Sequence, residues 1–495
     1  MNEILAKFHN AKNIFDLIVE IYLSVNTCES PLFIKNYTEN LKNGTYERSF
    51  YQDIAQIIDE LLDNMISFET FKDIFSTYIS EKLPDEYAVW MLVYMDQVFS
   101  EYDQYPLLKQ HLKLSSGKLG TMGPLNTTQQ NYLLYYKPTE DFASHSPSLQ
   151  KIRGVKLQDL SKITSLLEHY TIIPRITDEP VLVVKRYYNP QFKTCFSNPD
   201  TPLQIAVVPF MKDSWFQIKL SETPARNYFE IHTDITLHEK INRAYLEVLK
   251  TLNRKQVDIV IFPELAMNPS TKRVISNWLA NQKIENPAFC IKLVFLGSCW
   301  NHKEKTNICT LLSSTGSTIL ENHKKIGFIY KDKETKKEYY EDLSVRPLQL
   351  EAVDLDFIGR LIYLVCRDAL EDLDQAFLWN NYQINMEVIS SYSESLSHFE
   401  NKMRYFSQTH KGISVLANCC RPRLSKGPIG FLSVPATDLS TKNQNADGHL
   451  TYHHRNKDCA HSCQICHCYQ IYTLYPLQEK EYGNHKTIRI EQESS

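Results

Sequence analysis

An α/β domain preceded by an all-α domain is the fold class that the sequence predicts. Up to about residue 130, apolar residues recur at three- and four-residue spacing, the pattern of amphipathic helices. After Pro202, short apolar runs alternate with helix-like segments, the texture of strands joined by helical crossovers. At 495 residues the chain is also too long for one hydrophobic core, so two or more domains are expected.

In the first region Ile14, Leu17, Ile18 and Ile21 share one helical face. Phe68, Phe71, Phe75 and Ile79 share another, with Ser67 placed to cap that helix. A helical interaction domain is expected over residues 1–135. Residues 136–202 are punctuated by "PTEDFASHSPS" and "NPQFKTCFSNPDTP", which read as a linker and irregular region around a β-like "PVLVVKRYY". The α/β domain is expected over 203–450. Its first strand is "LQIAVVPF", and "VDIVIF", "IKLVFLGSC", "TNICTLLSS" and "FIGRLIYLVC" follow, with "MEVISSY" and "ISVLANCC" later. Residues 451–495 form a Cys/His-rich C-terminal segment.

Composition narrows the class of function. A net charge of −4 gives no basic field for nucleic acid, so no nucleic-acid partner is expected. Only 14 glycines stand against 29 tyrosines and 23 phenylalanines, which excludes a glycine-rich fibrous or linker architecture. Glu3, Asn10, Asn13 and Asp16 interrupt the first apolar residues, so no signal-peptide core is expected there. No uninterrupted apolar run reaches the ~20 residues of a membrane helix. Twelve cysteines without a secretory signal fit a reducing compartment, and a cytoplasmic location is expected.

Three reactive residues occupy equivalent architectural places. Glu264 follows "VDIVIFP", Lys325 follows "STILENHK", and Cys366 follows "RLIYLV". Loops at strand carboxyl ends converge on one cleft in α/β sheets, so these groups are candidates to meet in space. Their chemistry is complementary: a thiol attacks an electrophilic carbon, a carboxylate takes its proton, and an ammonium stabilises an oxyanion.

The order and wording of "VDIVIFPELAMN", "ENHKKIGF" and "LIYLVCRDALED" resemble the nitrilase superfamily of carbon–nitrogen hydrolases. The resemblance covers roughly residues 204–435. It implies a nitrilase-like αββα sandwich, a tendency to form a homo-dimer or higher oligomer, and a Glu–Lys–Cys triad of Glu264, Lys325 and Cys366. It also implies a second glutamate between lysine and cysteine, for which Glu341 is favoured over Glu338 and Asp342, and a brace at Asp368. Asn418 matches the Asn that closes the family's later strand–helix–strand unit. Ala369 and Leu370 replace the usual aromatic or proline, so an unusual pocket wall is expected. No cofactor is expected for this chemistry.

The stretch "HHRNKDCAHSCQICHCY" raises a separate possibility. Cys459, Cys463, Cys466 and Cys468, with four nearby histidines, supply more than the ligands a structural zinc needs. Only Cys463 and Cys466 show paired CxxC spacing, so redox chemistry and a ligand-free insertion remain open. The function expected from the whole is an amidase-type thiol hydrolase acting on a small-molecule amide through a thioester. The alternative is a catalytically silent nitrilase-like scaffold that oligomerises and binds a protein partner through its helical module, in a bacterial defence system for example.

Overall fold

The structure, a computed structural model, describes most of residues 202–370 and 384–420. Shorter described segments include 11–27, 66–82, 119–122, 132–136, 170–174, 181–187, 428–435, 449–455, 468–475 and 489–494. The chain divides into two units. Residues 1–115, 122–139 and 151–179 form the first, and 116–121, 140–150 and 180–495 the second. Among the described residues no helix is long and apolar enough to cross a membrane.

The described elements begin with helices α1 (Ile14–Thr27) and α2 (Phe68–Lys82) and strands β1 (Leu119–Met122), β2 (Tyr132–Tyr136) and β3 (Tyr170–Pro174). In the first unit α1 buries Leu17, Ile18, Val19 and Ile21, and α2 buries Phe71 and Phe75, whose rings stack at 5.1 Å. Ser67 caps α2 as its sequence position suggests, its Oγ accepting from the Thr70 N–H at 3.1 Å. Strands β2 and β3 pair antiparallel, so this unit is not helical throughout.

The second unit continues with β4 (Val181–Tyr187), β5 (Leu203–Val207), β6 (Phe216–Glu222), β7 (Asn227–Thr233), helix α3 (His238–Arg254) and β8 (Ile259–Ile261). Helix α4 (Thr271–Glu285), β9 (Leu293–Asn301), β10 (Thr306–Ser313), β11 (Thr318–His323), β12 (Ile329–Lys331) and β13 (Glu338–Glu341) follow. Then come β14 (Gln349–Leu355), β15 (Gly359–Val365), β16 (Met386–Ser391), helix α5 (Ser397–Tyr405) and β17 (Ile413–Asn418). Strands β18 (Pro428–Pro435), β19 (His449–Arg455), β20 (Gln470–Tyr475) and β21 (Arg489–Ser494) complete the described elements.

Two large sheets face each other. One has the order β11-β10-β9-β8-β5-β20-β21, and the other β1-β4-β14-β15-β16-β17-β18-β19. Strands β5, β8 and β9 run parallel, as do β15, β16 and β17, which is why their residues are buried on both faces rather than alternating. Helix α3 buries Ile241, Tyr245, Val248 and Leu252 against the first sheet, and the Tyr245 hydroxyl donates to the Leu296 carbonyl at 2.6 Å. Helix α5 lies against β18 of the second sheet, so the layers run helix, sheet, sheet, helix. This is an αββα sandwich, the layering expected from the sequence.

The domain boundaries differ from those expected. Part of segment 136–202 is core: β4 pairs in parallel with β14 along its whole length. The C-terminal segment also enters the sandwich, because β20 pairs antiparallel with β5. Both were hard to foresee, since their partners lie more than a hundred residues away. Cys459, Cys463 and Cys466 lie outside the described residues, and Cys468 stands just ahead of β20.

Between the two sheets, buried polar groups join specific strands. The Asn322 amide donates to the carbonyls of Glu351 (2.9 Å) and Tyr363 (3.0 Å) and accepts from the Glu351 N–H (2.8 Å). The Tyr363 hydroxyl accepts from the Gly297 N–H at 3.0 Å and meets Ser390 Oγ at 2.7 Å. Ser390 Oγ in turn donates to the Phe262 carbonyl at 2.6 Å. Satisfied networks of this kind hold one register where apolar packing alone would accept several.

Candidate active site

Four strand ends of the second unit open onto one cavity of about 410 Å³. Glu264 lies just after β8, Lys324 after β11, Cys366 after β15, and Tyr392–Ser393 after β16. Strand β11 is antiparallel to β10, which is antiparallel to β9, so β11 points the same way as β8 and delivers its end to the same edge.

Glu264 is held on both oxygens. Oε1 accepts from Lys324 Nζ at 2.8 Å and from Asn307 Nδ2 at 3.0 Å, and Oε2 accepts from the Tyr392 N–H at 3.0 Å. The backbone around it is equally fixed. Gly297 on β9 adopts φ +80°, and a Cβ there would fall 1.9 Å from the Pro263 carbonyl oxygen, so only glycine lets the strand approach this closely. Leu265, at φ 59°, donates its N–H to Ser298 Oγ at 3.0 Å.

The lysine at this site is Lys324 rather than Lys325. Lys324 Nζ stands 2.8 Å from Glu264 and 2.7 Å from Glu341, with all three side chains buried. The adjacent Lys325 contributes its backbone instead: its N–H and that of Ile326 donate to the Asp368 carboxylate at 2.8–3.1 Å. Its own Nζ is buried with no hydrogen-bond partner and does not line the cavity. Side chains alternate along extended backbone, so a one-residue difference selects the opposite face. Asn322 and Lys324 face inward together, which puts Lys325 outside the cluster.

Glu341, expected in support of Lys325, instead contacts Lys324 and also accepts from the Phe328 N–H at 2.8 Å. Asp368 sits as a brace under the turn after Cys366, away from the cavity lining. Asn418 clamps the next loop, accepting from the Ser393 N–H and donating to the Ser393 carbonyl, both at 2.9 Å. Asn307 was not anticipated; its contact with Glu264 needs the β10–β11 pairing to be known.

Cys366 opens a 3-10 turn in the left-handed region, φ 47°, rare for a residue with a side chain. Such strain is kept where surrounding structure over-determines it, here by β15 before and the Asp368 brace after. Its Sγ lines the cavity and receives the Ser391 hydroxyl at 3.7 Å. Burial, and then the Glu264 charge, push the thiol up to about 12 against the opposing pull of Lys324. Burial also raises Glu264 above the usual carboxylate range, with Lys324 opposing and Glu341 adding to the rise. For Lys324 burial works against the charge, but the two carboxylates outweigh it and hold the ammonium well above its ordinary value. The resting site is therefore a neutral thiol beside a fixed lysinium and a buried carboxylate.

The rim is apolar. A small sheet ordered β12-β13-β7-β6 supplies Phe216, Ile218, Phe229 and Ile231, and Phe328 and Tyr330 join them. Phe216 packs edge-on against Tyr392 at 5.0 Å, tying this sheet to the cavity floor.

No protein-family model and no curated protein sequence matches the chain. Among solved structures, the chain is similar to the NitFhit protein of C. elegans, at 18% identity over 44% of this chain and 51% of that one, with a TM-score of 0.30. It is also similar to a glutamine-dependent NAD+ synthetase from Acinetobacter baumannii, at 10% identity over 58% and 47%, with a TM-score of 0.35. A third is an amidase from the nitrilase superfamily of Nesterenkonia AN1, at 11% identity over 44% and 77%, with a TM-score of 0.29. The matched region spans about half the length of the first two.

Proposed function

We propose that the second unit is a carbon–nitrogen hydrolase that cleaves a small amide through a thioester on Cys366. The observation that supports this most directly is the convergence of Glu264, Lys324 and Cys366 at the floor of one cavity. Glu264 takes the thiol proton as Sγ attacks the carbonyl carbon, which matters because a thiol at about 12 does not ionise unaided near neutral pH. The Lys324 ammonium stabilises the oxyanion as it forms. On collapse the C–N bond breaks and the leaving amine takes the proton from Glu264. Glu264 then deprotonates a water that attacks the thioester, the C–S bond breaks, and the thiol regains its proton as the acid leaves. The mostly apolar rim favours an amide carrying an aliphatic or aromatic group, because a polar substituent against Phe216, Ile218 and Phe229 would lose water without gaining partners.

Cys366→Ala tests this. Turnover of an amide panel is expected to fall by roughly 10⁴-fold or more, and a fluoroacetamide-type electrophile is expected to label Cys366 in the wild type and nothing at that position in the variant. Full activity in the variant would sink the mechanism, and an unlabelled Cys366 would leave a non-catalytic scaffold as the better reading.

A further inference from the structure

Strand β7 has two faces. Phe229 and Ile231 are buried and line the cavity, while Glu230 and His232 project together to the other side, as residues two apart on a strand must. The turn after β9 brings His302 to that second face. His232 and His302 stack at 4.1 Å between ring centroids. His232 Nε2 lies 3.2 Å from a Glu230 carboxylate oxygen, and His302 Nδ1 lies 4.0 Å from the same oxygen. One donor atom from each of the three falls within 4.8 Å of the other two. Ligands on a tetrahedral zinc, with bonds of about 2.0–2.2 Å, stand about 3.3–3.5 Å apart. Small side-chain rotations close the difference.

We propose that Glu230, His232 and His302 form a binding site for a zinc-type divalent cation, with water completing the tetrahedron. Two imidazoles and a carboxylate suit zinc or a neighbouring first-row ion; calcium and magnesium prefer oxygen alone. The histidine turn is held before any ion arrives: Asn301 Oδ1 accepts from the N–H groups of Lys303 (3.1 Å) and Glu304 (3.3 Å), and Trp300 meets the His302 ring edge-on. All three side chains remain 30–42% exposed, so an ion has a path in and the fold does not depend on it. Lys219 lies directly across from Glu230 on β6, the one cation facing the site among its described cross-strand neighbours. Its charge opposes a metal. An ion here would fasten β7 to the β9–β10 turn, and so steady the cavity wall carried on the other face of that strand.

The test is zinc titration of the chelator-stripped full-length chain by calorimetry, with bound zinc counted by mass. The Cys/His-rich segment is a second candidate for zinc, so the comparison is between variants. His302→Ala and Glu230→Gln are expected to lose one zinc equivalent that Cys463→Ser retains, and Lys219→Ala to bind that equivalent a few-fold more tightly. Zinc is expected to raise the melting temperature of Cys463→Ser and not that of the double variant Cys463→Ser, His302→Ala. Unchanged stoichiometry and affinity in His302→Ala and Glu230→Gln, or no zinc bound by the wild type, would overturn the site.

Discussion

At the floor of the cavity Glu264, Lys324, Glu341 and Asn307 hold one another within hydrogen-bond distance and out of water. At its rim Ile218 and Phe328 line the same space yet stay 40% and 45% exposed. The floor is rigid because each buried charge has a partner it cannot do without. The rim is a small sheet whose apolar side chains lack such partners, so its shape is free to follow the group it covers. On the proposed function, reaction type is written into the floor and substrate choice into the rim, and each is open to alteration without the other.

The sharpest break in that division is Lys324→Met. It strips the oxyanion of its cation and leaves two buried carboxylates facing each other, so kcat is expected to fall by roughly 10²–10³-fold and stability by about 3–5 kcal/mol. Steady-state kinetics and denaturant melts measure the two effects separately. Next, the pH profile reads the floor alone. Glu264 acts as a base only when ionised, and burial raises its pKa, so kcat/KM is expected to drop about ten-fold per unit below a limb set above the ordinary glutamate range. Glu341→Gln removes a negative neighbour that contributes to the rise, and is expected to move that limb to lower pH.

Phe229→Ala addresses the rim. It removes a buried ring that meets Phe328 and Tyr330 edge-on, and KM for an aromatic amide is expected to rise roughly ten-fold while kcat holds. The smallest effect is expected from Lys325→Met, which deletes an unpartnered buried amine that burial pulls down to about 8. Turnover is expected to change by about two-fold or less, the scale of substitutions outside any network.

That pair of neighbouring lysines also shows how far the sequence could be read. The strands β8 and β15 were legible as short apolar runs and β11 as the extended "GSTILENHKK", and their chain order pointed to one cleft. Which of Lys324 and Lys325 faces inward depends on the pleat, and the pleat is set by Asn322 and its bonds to Glu351 and Tyr363 on the opposite sheet. A local motif carries no record of those partners. Glu341 was legible by its position between lysine and cysteine, whereas Asn307 was not, since any polar residue on β10 reads alike until its register is known. The rim escaped altogether. Strands β6 and β7 interrupt the passage from β5 to α3, and nothing local in "FQIKLSE" says which cavity its Phe216 will wall.

The pairing of β20 with β5 carries a consequence for how the protein is made. Ile205 cannot meet Tyr472 until the ribosome has released both, so β5, which also holds β8 and hence Glu264, stays an open edge until then. Such an edge is apolar and ready to pair with another chain. A nascent chain interrupted before residue 470 is therefore expected to aggregate, so the strand that carries the candidate site gains its second neighbour only once residues 470–475 have been made.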